Sequence, residues 1–248
     1  MFSRRISIIV ICIVVHSTVR AQIFAPEHGS LFHEIFTLTQ ERTGENPLLQ
    51  NGIFYEYPYM GAKGHPFLND NQFHNGSIIY RDQLYEGIGM KYDIFNQQIV
   101  MNQHNGSEMV QSIPAREFIS EFRIHGMLFK SMTFDNKNQS FYQVISEGEK
   151  LSCYYFWNKS RNESHENGAY KIYVFADAKP ARYLLTGEKI SRFRNNRSFV
   201  RLFPDGVKKQ VREFLRSNKI KVDRTDDVAM KEVIHFCRTI IENQNEQN

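Results

Sequence analysis

The sequence predicts an α+β protein: a curved antiparallel β-meander, half-barrel-like, with one N-terminal helix and two C-terminal helices. Three observations predict it. Between Ile53 and about Phe175 the chain is a succession of short aromatic and β-branched runs separated by turn residues. Apolar residues at helical spacing occur only before and after that stretch. Aromatic side chains make up 13% of the 248 residues, which suits a sheet-rich core rather than a disordered secreted tail.

The elements follow in chain order. Arg4 and Arg5 precede an apolar run from Ile6 to Val15, and Val19 and Ala21 precede Gln22. That is the layout of a secretory signal peptide (1–21), expected to be cleaved near Ala21 and to leave 22–248 as a single β-rich domain. The run is shorter than the roughly 20 apolar residues of a spanning helix, so no transmembrane span is expected after cleavage. Cys12 lies inside the run behind Ile11 rather than behind a small residue, which argues against a lipoprotein signal. Ser30 can cap a first helix over "SLFHEIFTLTQERT", with Leu31, Ile35 and Leu38 at helical spacing and Gly44 as its stop.

From about 51 to 176 the period becomes two. "GIFYEYPYM", "GSIIYRD", "QLYEGIGMKYDIF" and "QQIVMNQ" read as strands, and "FISEFRIHGMLFKSMTF" as two strands broken at Gly126. "SFYQVISEGEKLSCYYFW" turns at Gly148, and "GAYKIYVFAD" is one more strand. Pro114 marks an edge or connector. A helical segment then covers about 204–243. Val207, Val211, Phe214 and Leu215 form one apolar stripe, and "TDDVAMKEVIHFCRTIIEN" is a second helix capped by Thr225 or Asp226.

Several stretches resemble, as an ordered set, a group of uncharacterised secreted Bacteroidetes proteins without an assigned activity. They are "NGIFYEYPY" with "GHPF", "GSIIYRDQLYEGIGMKYDI", "QSIPAREFISEFRIHGMLF", "SFYQVISEGEKLSCYYFW" and "FPDGVKKQVREFLRSNKIK". The resemblance covers nearly all of the chain after the signal segment and implies one domain. It also implies a double-membrane envelope, hence the periplasm or the outer surface as destination. It transfers no catalytic residues. The strand rhythm of "YEGIGMKYDIFNQQIVM" is similar to that of the lipoprotein-carrier half-barrels, a likeness of architecture alone.

Charge is uneven along the chain. Loss of Arg4, Arg5 and Arg20 with the signal segment lowers the net charge from +4 to +1. Lys179 to Arg224 nevertheless holds fourteen Lys/Arg against Glu188, Asp205, Glu213 and Asp223. Such a segment either meets an anionic partner or pairs with the chain's own acidic half, and the second needs no partner. Within it, Arg192, Arg194, Arg197 and Arg201 alternate with Phe193, Phe199 and Phe203. Aromatics among arginines can bind nucleic acid, but export disfavours that partner and leaves anionic lipid or lipopolysaccharide. The bland reading turns the phenylalanines inward and the arginines outward.

Other constellations carry weaker chemistry. His65, Asp70 and His74 lie within ten residues, but at neither i, i+4 on a helix nor i, i+2 on a strand. Pro66 with Asn69 and Asn71 makes turn chemistry the simpler role, and no metal or cofactor is expected. Tyr92-Asp93 with Asp82 and Glu86 could supply acid–base pairs. On an uninterrupted strand, however, Asp82, Glu86, Met90 and Tyr92 share one face and Tyr85, Gly87, Gly89 and Asp93 the other. A strand-ending Asp93 that caps a turn is the plainer role. Cys153 and Cys237 are expected as buried thiols, with a disulfide as the alternative. Nucleophile-elbow and phosphate-loop motifs are absent from the sequence.

The expected function is therefore a non-enzymatic exported envelope protein that binds an apolar or amphipathic ligand, such as a lipid, or an envelope partner. Tyr80, Tyr85 and Tyr92 are its candidate ligand-facing side chains. The alternatives are a hydrolase-type enzyme using His65, Asp70 and Asp93, and an interaction module using the basic C-terminal face.

Overall fold

The computed structural model describes residues 52–105, 108–134, 138–166 and 170–245, which fall within one compact unit, Gly44–Asn248. The expected signal segment and first helix lie outside the described residues.

The alternating runs form thirteen strands among the described residues. The first seven are β1 (Ile53–Phe54), β2 (His74–Tyr80), β3 (Gln83–Asp93), β4 (Gln98–Asn105), β5 (Glu108–Ile113), β6 (Ile119–Ile124) and β7 (Met127–Met132). The others are β8 (Ser140–Ser146), β9 (Ser152–Asn158), β10 (Arg161–Glu166), β11 (Tyr170–Phe175), β12 (Lys179–Thr186) and β13 (Lys189–Phe193). Eleven of them form one open antiparallel sheet in the order β1-β5-β4-β3-β2-β6-β7-β8-β9-β12-β13, and β10 with β11 makes a separate two-stranded ribbon. The sheet therefore does not end near residue 176. "YLLTGEKISRF" adds a hairpin that turns at Gly187, where φ is +57°, and buries Leu184 and Phe193. Its period-two pattern was present in the sequence, but the basic residues within it masked the strand signal.

The sheet is rolled. Tyr92 on β3 packs edge-on against Phe122, Phe129 and Phe141, with ring centroids 5.1, 5.2 and 6.0 Å away. Phe141 is on β8, four places along the sheet from β3, so a flat sheet would separate these strands by about 19 Å. Curling brings the rings together. The β3–β4 turn confirms the curl: Gln97 Nε2 donates to the Trp157 carbonyl on β9 at 2.8 Å. Each buried ring contributes about 1.5–3 kcal/mol relative to its exposed state.

A β-bulge in β3 sets which side chains enter this core. Gly76 of β2 pairs with Ile88 and Ile78 pairs with Tyr85, so Ser77 faces two residues, Glu86 and Gly87. Gly87 has φ +67°, the left-handed conformation that glycine adopts without a Cβ penalty. The extra residue reverses the parity expected for an uninterrupted strand, and Tyr85 and Tyr92 end on the same face. Close approach also matters at Gly76, where a Cβ would collide with the Arg123 carbonyl oxygen of β6.

Three helices follow: α1 (Asn196–Val200), α2 (Asp205–Ser217) and α3 (Asp227–Asn245). The two expected C-terminal helices are α2 and α3. Asp226 caps α3 by accepting the Ala229 N–H at 2.8 Å. Short α1 is closed by a capping box, in which Asn195 accepts the Ser198 N–H at 2.9 Å and Ser198 Oγ accepts the Asn195 N–H at 3.0 Å. Val207, Val211 and Leu215 of α2 and Met230, Val233, Ile234 and Cys237 of α3 bury against Ile145, Cys153, Tyr155, Leu184 and Phe193 of the sheet. Polar contacts fix the docking. Buried Gln143 accepts from Trp157 Nε1 at 2.7 Å and donates to Asp227 at 2.6 Å. Arg238 Nη2 donates to Ser146 Oγ and to the Glu147 and Leu151 carbonyls at 3.0–3.1 Å.

Candidate functional site

A pocket of about 750 Å³ opens between α1, α2 and the turn that follows α2. Its origin is the amphipathicity of α2. With Val207, Val211 and Leu215 turned inward, Lys208, Arg212 and Arg216 form an i, i+4 row along the outer flank. Arg197 and Arg201 form a second such row on α1 and its C-cap. Lys219 and Lys221 close one end, while Val200, Leu215 and Ile220 supply apolar wall.

The wall after α2 is held in place by identifiable bonds. Asn196 Nδ2 donates to the Ile220 carbonyl at 2.7 Å, and its Oδ1 accepts the Val222 N–H at 2.9 Å. The helix ends in a Schellman motif, with Ile220 N–H on the Leu215 carbonyl at 2.9 Å and Lys219 N–H on the Arg216 carbonyl at 3.1 Å. The residue in the left-handed position is Lys219, at φ +53°, where glycine would be the comfortable choice. That strain places a cation at the rim.

Electrostatically the pocket is one-sided. Seven of its lining residues are Lys or Arg and none is acidic. Among the described residues, ion pairs in the basic segment join Lys208 to Asp205 at 2.7 Å and Arg224 to Asp223 at 3.5 Å. Asp205 is almost fully exposed, and the hydrogen bond from Lys208 holds its carboxyl below the usual aspartate range. Apart from Lys208, which Asp205 pairs, the crowd of like charges thus faces open solvent and apolar wall, the arrangement that an anion relieves.

Arg197 and Arg201 of the sequence-derived arginine set line this pocket; Arg192, on β13, and Arg194 are exposed outside its lining. The interleaved phenylalanines are buried: Phe193, Phe199 and Phe203 stack edge-on at 5.0 and 5.2 Å. Sequence reading missed Lys208, Arg212 and Arg216. Their signal was the four-residue spacing opposite an apolar stripe.

The tyrosine candidates are part of the core. Tyr80, Tyr85 and Tyr92 are each no more than 2% exposed. The Tyr85 hydroxyl donates to Gln83 Oε1 and that of Tyr92 to Gln97 Oε1, both at 2.7 Å. Burial, reinforced by nearby Asp93, pushes the Tyr92 phenol far above its ordinary pKa.

Asp93 is fully buried at the start of the β3–β4 turn. Oδ1 accepts the Phe95 and Asn96 N–H groups at 3.0 and 2.8 Å, and Oδ2 accepts the Asn96 and Gln98 side-chain amides at 2.8 and 3.4 Å. This is a turn cap. Burial raises its carboxyl pKa above the usual value, with these donors pulling the other way. Its carboxylate is turned to its own hairpin, whereas His65 lies with its ring stacked on Phe67 at 6.2 Å. Lys159 Nζ donates to the His65 and Phe67 carbonyls at 2.9 and 2.8 Å, and burial followed by this cation lowers the His65 pKa.

Asp70 and His74 do come together, without His65. His74 Nε2 lies 2.9 and 3.1 Å from the two Asp70 oxygens. A residue that the sequence reading did not connect with them joins them: His125, whose ring centroid is 4.2 Å from that of His74. Burial, and then His74, lower the His125 pKa. Cys153 and Cys237 are free buried thiols in one core cluster, and burial pushes Cys237 up to about 12.

The chain matches no family model, no curated protein and no solved structure.

Proposed function

We propose that this chain is an exported, non-enzymatic binding protein that takes an anionic amphiphile, such as a lipid with an anionic head, in the pocket between α1, α2 and the turn after α2. The observation that carries the reading is the composition of the pocket: seven cations and no acid around Val200, Leu215 and Ile220. Its volume lies in the range of small-molecule sites, and its few apolar side chains suit a chain segment behind an anionic head. The basic n-region and apolar run at residues 4–15 support export. Among the described residues no helix is long and apolar enough to cross a membrane.

Calorimetric titration with dodecyl phosphate, against dodecanol as the uncharged control, tests this. Binding of the phosphate should weaken with added salt and fall about tenfold or more in the double variant Arg212→Glu, Arg216→Glu. Equal binding of the alcohol, or phosphate binding indifferent to the charge reversal, would discard the reading.

A further inference from the structure

We propose that Asp70, His74 and His125 form a binding site for a divalent late first-row metal ion, with Zn²⁺ as the representative. One donor atom from each side chain lies within 4.8 Å of the other two. Two imidazole nitrogens and a carboxylate oxygen are a donor set for Zn²⁺, Ni²⁺ or Cu²⁺, and disfavour Mg²⁺ and Ca²⁺, which take oxygen ligands.

The backbone explains why the three meet. Asn69, at φ +57°, turns the chain, and Asp70 is then held by an Asx turn in which its Oδ1 accepts the Gln72 N–H at 2.8 Å. His74 is the first residue of β2. His125 and Gly126, at φ +52° and +73°, form the two-residue turn between β6 and β7. Because β2 pairs directly with β6, that turn lies beside the beginning of β2. Ligands from two segments some fifty residues apart thus converge only in the folded sheet.

The geometry is close to what a metal requires. Bonds of about 2.0–2.2 Å in a tetrahedral arrangement put neighbouring ligand atoms roughly 3.3–3.5 Å apart. The His74–Asp70 pair at 2.9 Å is slightly inside that range and the widest separation is bounded by 4.8 Å, a gap that side-chain rotation closes. All three residues are partly exposed, which gives the ion an entry path. Three protein ligands leave at least one coordination position for water or a small ligand. His125 also lines an open cleft of about 270 Å³ on that side of the turn. An Asp70–His74 hydrogen bond alone would need no second imidazole; a second ring nitrogen within 4.8 Å of the same carboxylate is accounted for by a shared cation.

The test is Zn²⁺ alone, titrated calorimetrically into the untagged full chain at neutral pH, with unfolding temperature as a second readout. Wild type should bind one ion and gain thermal stability, because the site exists only in the fold. His74→Ala and His125→Asn, the latter keeping a residue that tolerates positive φ, should each weaken Zn²⁺ by more than the roughly 10–100-fold that loss of an outer-sphere partner costs. Both should abolish the thermal gain, while His65→Ala binds as wild type does. No binding by the wild type, or undiminished binding by His74→Ala and His125→Asn, would overturn the site.

Discussion

The half of the sheet around Tyr92, Phe122, Phe129 and Phe141 buries its inner face by rolling, whereas the far end of β8 at Ile145, with β9, β12 and β13, buries its face beneath α2 and α3. The two solutions leave different surfaces behind. A roll consumes its aromatic side chains in its own packing, and its polar groups, such as Asp93 and the Tyr92 hydroxyl, are bound to the hairpin that carries them. An added helix has a second face, which must be polar to be soluble. On α2 that face is a row of Lys and Arg next to a turn that leaves a pocket. Capacity to bind a ligand therefore sits in the helical layer, and the tyrosines of β3 belong to architecture.

Four changes would break or sharpen that contrast. The largest effect is expected from Phe122→Ala, which removes a ring stacked at 4.7 Å on Phe129 and touching Tyr92 and Phe141. It should cost about 3–5 kcal/mol, read as a lower urea midpoint at unchanged slope. Arg212→Glu, Arg216→Glu in the helical layer should shift the same midpoint by only about 0.5 kcal/mol per site. Comparable losses in the two regions would end the distinction.

Asp93→Asn comes next, with a loss of about 1–3 kcal/mol as an amide replaces an acceptor surrounded by four donors. Its pH signature has a defined sign. The folded carboxyl takes up its proton at a higher pH than the unfolded one. Stability from this group is thus greatest below the ordinary aspartate pKa and declines as pH rises through the folded value, then levels off. Urea unfolding followed across the acid range should show that decline in wild type relative to Asp93→Asn. A difference of opposite slope would mean that the hairpin's donors, rather than burial, set the charge of Asp93.

The smallest effect belongs to Lys219→Gly. Relief of the left-handed lysine should raise stability by up to about 1 kcal/mol, while loss of one rim cation weakens dodecyl phosphate. A gain in stability with unaltered binding would remove Lys219 from the pocket's function.

Much of the fold was legible in the residues. Most strands from Ile53 to Phe175, the α2 stripe and the Asp226 cap follow from local periodicity and turn chemistry, which act over a few neighbours; β5 and β10 carried no such signal, and only Ile53–Phe54 of the first aromatic run is a strand. The β12–β13 hairpin was hidden because its alternation is crowded with Lys and Arg. The parity of β3 was misjudged at Gly87, since a bulge depends on how the partner strand pairs. Arg197 and Arg201 were visible as basic residues among phenylalanines, but the partners that make them a pocket lie on α2 and its closing turn. His125 could not be joined to Asp70 and His74 by spacing, because only the pairing of β2 with β6 puts them side by side.

Sequence alone thus determined most of the element types, the apolar stripes and the concentration of charge between Lys179 and Arg224, for these depend on the order of neighbouring residues. The roll of the sheet, the burial of the tyrosines, the enclosure of a basic pocket and the meeting of two histidines with an aspartate were decided by tertiary structure. Each depends on contacts between residues distant in the chain, where packing and strand register rather than local preference select the neighbour.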